Sequence, residues 1–439
     1  MVWQTIVHST TMIAIPDLYE KFLECSGVST DTRQITPDCL FVALKGPSFN
    51  ANQFAVEALA KGARYCLVDD PAVAHQDGCL LVSDALTALQ ELARHHRQTL
   101  QIPVIGLTGS NGKTTTKELI ASVLSKKYAI YATSGNLNNH IGVPLTVLAI
   151  NEQHELAVVE MGANHQEEIA LLSSICQPTH GLITNVGKAH LEGFGGIEGV
   201  RKGKGELFDY LAASGGTVFV NNSDPDLMDM YREREGFGQT VFYLENQVPE
   251  LLQESPVAVY RTADGQEITT HLPGRYNFLN MAAALAIGDH FGVSPQEANH
   301  AIANYNPVNN RSQMVAKGTN TVLLDAYNAN PSSMAATLLQ FMKQPATRKM
   351  VILGDMYELG DESPAEHAAL GQLIALGQFD TVILAGKDMK FALDYLPKAY
   401  YFPDKFSLHN WIADNPMQNT HILIKGSRGM GLESVLPFI

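Results

Sequence analysis

The segment Thr108-Gly109-Ser110-Asn111-Gly112-Lys113-Thr114 stands between an apolar run, Val104-Ile-Gly-Leu107, and a helical pattern with Leu119, Ile120, Val123 and Leu124 on one face. That order predicts a strand, a glycine-bearing turn and a helix opened by Gly-Lys-Thr. It restricts the surrounding fold to an α/β sheet, with the turn at a strand's carboxyl end. Such a turn aims backbone N–H groups and a helix N-terminus at phosphate oxygens. Lys113 supplies positive charge, and the Thr114 hydroxyl suits Mg2+. Glycine is needed at 109 and 112 because a side chain there would block close approach of the backbone. The general pattern also wants glycine at position 107, where this chain has Leu107. The residues expected to bind ATP are Gly109, Ser110, Asn111, Gly112, Lys113, Thr114 and Thr115.

Strand and helix patterns alternate on both sides of this loop. A chain of 439 residues is too long for one ordinary core. Before the loop, Cys39 to Leu44 and Tyr65 to Val68 read as strands and Ala85 to Gln98 as a helix, with a junction at Gln101-Ile-Pro103. After it, Leu156 to Val159 and Gly181 to Thr184 read as buried strands, and Pro307 to Asn310 forms a second junction. Val322 to Leu324, Met350 to Leu353, Thr381 to Ala385 and His421 to Ile424 then alternate with helical segments. The expected fold class is α/β in three domains, with limits 1–100, 101–307 and 308–439. The middle one is a parallel-sheet ATPase domain and the last is Rossmann-like.

Charge and cysteine usage bound the surroundings. A formal net charge of −15 argues against nucleic acid or an anionic membrane as the main partner. The five cysteines are scattered, odd in number and without a C-x-x-C pair, which suits a reduced compartment. No run approaches the ~18 apolar residues of a membrane helix, and the first twenty residues have no basic leader pattern. The chain is expected in the cytoplasm, without membrane insertion.

Further segments follow the loop in order. They are Gly135-Asn-Leu-Asn-Asn-His-Ile-Gly-Val-Pro-Leu-Thr146, Val158-Val-Glu-Met-Gly-Ala163, Ile183-Thr-Asn-Val-Gly-Lys-Ala-His-Leu-Glu192, Lys202-Gly-Lys-Gly-Glu-Leu-Phe208, Asp325-Ala-Tyr-Asn-Ala-Asn-Pro331 and Lys425-Gly-Ser-Arg428. Together with T-G-x-x-G-K-T-T, and with Ser29-Thr-Asp-Thr-Arg33 near the start, this set resembles the Mur ligases, ATP-dependent amide-bond formers of peptidoglycan synthesis, and their folylpolyglutamate synthetase relatives. Within the family the resemblance is to the dipeptide-adding branch. It implies an acid–amino-acid ligase that joins D-Ala-D-Ala to UDP-MurNAc-tripeptide through an acyl phosphate, with ATP and Mg2+.

The resemblance also implies site residues. Glu160 and His190 would be metal ligands with Thr114, although a strand-end carboxylate also caps loops and a lone histidine is more often structural. Lys204, chosen over Lys202 by its spacing from His190, would carry a carbamate formed with CO2, which requires a neutral amine and so a depressed pKa. Lys113, Lys204 and His190 form the expected catalytic set. Asn280, with Asn277 near it, would meet adenine, Arg311 the ATP phosphates and Asp325 the ribose. The family's usual glycine before that arginine is Asn310 here, and a second aspartate before Asp325 is Leu324. Ser29, Asp31 and Arg33 would grip the UDP-sugar, and Asn136 and Asn138 the substrate. Tyr327, Asn328 and Asn330 would form the dipeptide end, with Lys425 and Arg428 meeting a carboxylate. A monomer is compatible with all of this.

Two rivals stay open. The ligase adding the third peptide residue carries Asp-Asn-Pro-Arg, and Asp414-Asn-Pro-Met417 looks similar but has methionine for arginine and no strand before it. It reads as a turn. A P-loop regulatory ATPase would need neither a donor-binding first domain nor the Lys204 segment. The third residue of the donor peptide, meso-diaminopimelate or lysine, is not legible.

Overall fold

The computed structural model describes residues 11–439, so the first ten residues of the expected N-terminal domain lie outside the described residues. The chain forms a mixed α/β fold with three mainly parallel sheets. It divides into two compact units, residues 1–106 with 128–162 and 170–180, and residues 107–127 with 163–169 and 181–439.

In the first unit a four-stranded parallel sheet runs Val28–Ser29, Leu40–Val42, Tyr65–Val68, Cys79–Leu81. Phe41, Ala43, Ala55, Cys66 and Val68 fill its core. The helix Ala85–Thr99 begins where the Asp84 carboxylate accepts the Thr87 N–H at 2.7 Å. That bond satisfies one of the donors a helix start leaves open. Arg97 on this helix is buried, and its guanidinium donates to the carbonyls of Cys176 (2.9 Å) and Leu100 (3.0 Å). A buried cation is tolerable here because carbonyl oxygens take its protons.

A six-stranded sheet runs Gln239–Tyr243, Thr217–Asn221, His180–Ile183, Val104–Thr108, Leu156–Glu160, Ile130–Ala132. The strand Val104–Thr108 contributes residues to both units and is buried along its whole length. Strands buried on both faces read as continuous apolar runs, which is why those at Val104, Leu156 and His180 were legible without alternation, whereas Ile130–Ala132, Thr217–Asn221 and Gln239–Tyr243 were not read from the sequence. In the second unit another six-stranded sheet runs Gln313–Lys317, Asn320–Asp325, His421–Lys425, Lys349–Gly354, Thr381–Ala385, Tyr400–Phe402. All its pairings are parallel except the hairpin at the Gln313–Lys317 edge. Ile352, Ile383, Leu408, Ile424 and Val435 form part of its core.

Strand and helix positions follow the sequence expectations closely, and Asp414 ends a helix, Lys405–Asp414, with Asn415 as its cap. A three-stranded antiparallel sheet, Glu250–Gln253, Val259–Arg261 and Glu267–Thr269, was not anticipated. Its strands are three or four residues long and mostly exposed, too short and too polar to show a period.

Candidate active site

Within the second unit, the helix Lys113–Leu124 starts at Gly112, which has φ 81°. Gly109 has φ 143°, and a Cβ there would lie 1.9 Å from Thr184 Oγ1; at Gly112 it would lie 2.6 Å from Asn280 Oδ1. Both glycines are therefore required by backbone conformation and by neighbours. The loop's polar groups are tied to the end of strand His180–Ile183. Ser110 N–H donates to the Asn185 carbonyl (3.0 Å) and Asn111 N–H to Asn185 Oδ1 (3.1 Å). The Thr184 hydroxyl (2.6 Å) and Asn185 Nδ2 (2.9 Å) both donate to the Asn111 carbonyl. The Ser110 hydroxyl exchanges bonds with Gly187, donating at 3.0 Å and accepting at 2.9 Å. Lys113 Nζ bends over the loop to the Gly109 carbonyl at 2.7 Å. The turn is thus pinned to the neighbouring strand end, with the N–H groups of Ser110 and Asn111 both committed to Asn185.

Lys204 lies on the helix Ile197–Ser214 and is 1% exposed, whereas Lys202 on the same helix is exposed. Lys204 Nζ donates to the Ala163 carbonyl (3.1 Å) and stands 4.8 Å from the Phe194 ring centroid. Burial, and next the charge of Lys113, hold its pKa well below the usual lysine value. His190, in the left-handed region at φ 53°, contacts the Glu358 carboxylate through Nδ1. That hydrogen bond holds the Glu358 carboxyl below the usual range against the opposing effect of burial. A ligand would then be taken at Nε2, with Glu358 orienting the ring. Glu358 was missed in the sequence; the signal was a polar, glycine-bearing loop directly after strand Lys349–Gly354, where α/β ligand sites gather.

The segment after Asp325 reaches the same loop. Asn330 caps the helix Pro331–Lys343 through a reciprocal pair with Ser333, and its Nδ2 donates to Asn111 Oδ1 at 2.8 Å. Ser332 Oγ accepts the Lys188 N–H at 2.9 Å, and Lys188 Nζ pairs with Glu366. Asn328 is exposed, and its carbonyl accepts from Lys425 Nζ at 3.2 Å. Asn277 is occupied with the Pro273 carbonyl (2.8 Å), while Asn280 sits against Gly112. Asn310 takes the left-handed region at φ 56°, which asparagine tolerates, so the turn before Arg311 forms without glycine. The second junction is anchored where Tyr305 Oη and Asn309 Nδ2 donate to the Glu118 carboxylate on the loop's own helix.

Asp325 gathers three partners. Its Oδ1 accepts the Ser312 N–H at 3.0 Å, and Oδ2 accepts from Thr337 Oγ1 at 3.0 Å and from Lys425 Nζ, which also approaches the Asp325 carbonyl. Burial pushes this carboxyl up, but Lys425 and the other donors outweigh it and hold it below the usual value. Lys425, expected at a substrate carboxylate, is itself buried in this pair. Beside Arg428, whose guanidinium pairs with Glu433 at 2.9 Å, Gly429 and Met430 line a cleft of about 440 Å3 with Asp355, Lys387, Asp404 and Lys405.

Within the first unit, Glu160 ends its strand at 1% exposed, with Oε1 accepting from Asn138 Nδ2 at 2.8 Å and its N–H donating to Thr133 Oγ1 at 3.0 Å. Asn136 is exposed, and its carbonyl accepts the Asn138 N–H. Asp31 accepts from the Arg33 N–H and guanidinium, which lower its carboxyl to about 2. Ser29 Oγ donates to the Asp31 carbonyl at 3.1 Å. Ser29 to Arg33 is thus a self-bonded turn. Among the described residues no cluster of three or more His, Cys, Asp and Glu side chains is assembled for a metal, and no helix is long and apolar enough to cross a membrane.

Two outcomes follow from this geometry. Gly109→Ala must displace Thr184 and is expected to weaken nucleotide binding, read by calorimetry with ADP, by at least about tenfold. Lys425→Met leaves Asp325 buried without its cation and is expected to lose about 3–5 kcal/mol at neutral pH. In the parent protein the Asp325 contribution is present above the ordinary carboxylate range and lost as pH falls through its lowered value. In the variant burial acts without Lys425 and raises that carboxyl, so the gap in urea stability between the two should narrow on acidification.

The chain was compared with known proteins. Residues 107–288 match the Mur ligase middle domain, and residues 310–428 the Mur ligase, glutamate ligase domain. The UDP-N-acetylmuramoyl-tripeptide–D-alanyl-D-alanine ligase of Bacillus subtilis is 36% identical over 422 residues, covering 93% of this chain and 92% of that protein. The enzyme of the same name from Escherichia coli is 37% identical over 426 residues, with 93% and 92% covered. A crystal structure of MurF from Acinetobacter baumannii superposes with a TM-score of 0.83 at 31% identity, covering 98% of each chain. MurF from Thermotoga maritima in complex with ADP gives 0.80 at 26% identity, covering 95% of this chain and 97% of that one. The chain belongs to the Mur ligase family.

Proposed function

We propose that this chain uses ATP to join D-Ala-D-Ala to UDP-MurNAc-tripeptide, giving UDP-MurNAc-pentapeptide, ADP and phosphate for peptidoglycan precursor synthesis. The observation that carries the reading is the buried Lys204, its amine depressed by burial and by Lys113 of the phosphate loop. A regulatory nucleotide switch has no use for such a group. The full-length likeness to ligases named for this reaction supports the choice of substrates.

The tripeptide carboxylate attacks the γ-phosphate of ATP, forming an acyl phosphate and releasing ADP. The dipeptide amine then attacks the acyl carbon, loses a proton, and phosphate leaves. Lys113, the loop N–H groups and Arg311 offset phosphate charge, and positioning supplies much of the help. Asn280 and Asp325 serve adenine and ribose, while Ser29, Asp31 and Arg33 serve the UDP-sugar. Asn328, Asn330 and Arg428, with the cleft beside Arg428, serve the dipeptide. Water exclusion protects the acyl phosphate from hydrolysis.

Within the second unit the donor chemistry is compatible with Mg2+: Thr114 offers a hard oxygen, His190 offers Nε2, and a carbamate on Lys204 would add two more oxygens. When bound, the cation would neutralise charge on the β- and γ-phosphates. A neutral Lys204 amine can add to CO2, forming an N–C bond and releasing one proton. This reading assigns 1–100 to the donor, 101–307 to ATP and 308–439 to the dipeptide. The enzyme works as a cytoplasmic monomer.

Phosphate release should require both UDP-MurNAc-tripeptide and D-Ala-D-Ala; equal release without the dipeptide would sink the ligase reading. Lys204→Ala should lose activity by at least about a hundredfold, as loss of a catalytic group does, with partial rescue by formate or acetate. Lys204→Met should instead melt at a higher temperature than the parent protein, because it removes a buried amine. Unchanged activity in either variant takes Lys204 out of the site.

A further inference from the structure

Arg311 lies on a turn between two residues in the left-handed region, Asn310 (φ 56°) and Ser312 (φ 48°). Its guanidinium carbon stands 3.4 Å from the centroid of the Tyr327 ring, close enough for a face-on stack. The guanidinium carbon of Arg428 stands 5.3 Å from the same centroid. One ring therefore meets two cations that arrive from opposite ends of the third sheet's sequence.

The backbone around the ring is over-determined. Tyr327 N–H donates to the Asn310 carbonyl (3.2 Å), Ser312 N–H donates to Asp325, and Ser312 Oγ bonds Tyr276 Oη (3.1 Å). The arginine side chains are less constrained: Arg311 is half-buried and Arg428 is exposed. Two guanidiniums brought to one place repel each other, and each long side chain has rotamers to lose. An aromatic face offsets both effects, since its quadrupole attracts cations and its plane orients a flat guanidinium.

We propose that Tyr327 is a positioning residue whose ring holds the Arg311 and Arg428 guanidiniums as one pair. The pair offers two cations to two anionic reactants, nucleotide phosphate at Arg311 and a substrate carboxylate at Arg428. The identity of those reactants rests on the ligase reading above; the stacking does not. The ring, rather than the phenol hydroxyl, performs this task.

The test is a double-mutant cycle in the full chain, with Tyr327→Leu, Tyr327→Phe, Arg311→Ala and the Leu/Ala double variant, reading kcat and KM for ATP together with melting temperature. Tyr327→Leu should lower kcat/KM for ATP about tenfold or more, and Tyr327→Phe should recover most of that loss. In KM for ATP the double variant should be no worse than Arg311→Ala alone, because on the nucleotide side the ring acts through that arginine, while any further loss should fall on KM for the substrate met by Arg428. Additive losses in KM for ATP would overturn the proposal, as would a Phe variant as impaired as the Leu variant. If Arg311→Ala is impaired and Tyr327→Leu is not, only the positioning role falls. If Arg311→Ala leaves the ATP constants unchanged, the phosphate assignment falls and this proposal with it. Should Tyr327→Leu not fold, Tyr327→Gln, which lacks a ring, takes its place in the cycle.

Discussion

The phosphate loop can hold its shape only because the next strand end holds it. Six hydrogen bonds with Thr184, Asn185 and Gly187 satisfy the polar groups of Ser110 and Asn111. A loop of small residues has high conformational entropy, and without such partners it would sample many shapes. With them, the turn that leads into the helix Lys113–Leu124 is fixed in one shape, and an ordered loop has less entropy to lose on binding a ligand. The same strand end continues into Lys188 and His190, which hold Ser332, Glu366 and Glu358. Fixing the loop and fixing the approach of the third sheet's elements are one structural event.

Buried charge follows a consistent logic here. Asp325 and Lys425 neutralise each other and satisfy their remaining capacity with Ser312, Thr337 and the Asn328 carbonyl. That pair spans neighbouring parallel strands, in register at Asp325 and Lys425. Lys204 has a carbonyl and an aromatic ring beside it, and a depressed pKa. The first arrangement compensates a buried charge pair; the second leaves a buried amine with its pKa depressed. Perturbed groups of the second kind gather at functional sites.

Much of the architecture was legible because buried parallel strands leave continuous apolar runs, and because glycine at 109 and 112 has few alternatives. The strands at Val104, Leu156, Thr381 and His421 needed no tertiary information. The short antiparallel sheet at 250–269 escaped notice because strands of three or four residues, with a single buried position in two of them, make no pattern. Asn330 shows how one residue can satisfy two readings, since it caps a helix and also reaches Asn111.

By itself the sequence determined the α/β class, the glycine-bearing turn between strand and helix at Gly109 and Gly112, and the ordered set of polar residues that mark the family. It did so because backbone conformation and strand burial are local demands, met by particular residue types at particular spacings. Only the tertiary structure decided which lysine of the Lys202–Lys204 pair is buried, that Glu358 meets His190, and that the Tyr327 ring meets both Arg311 and Arg428. Those contacts join residues up to 168 positions apart. Desolvation and charge proximity depend on what the fold brings together, and no spacing along the chain encodes them.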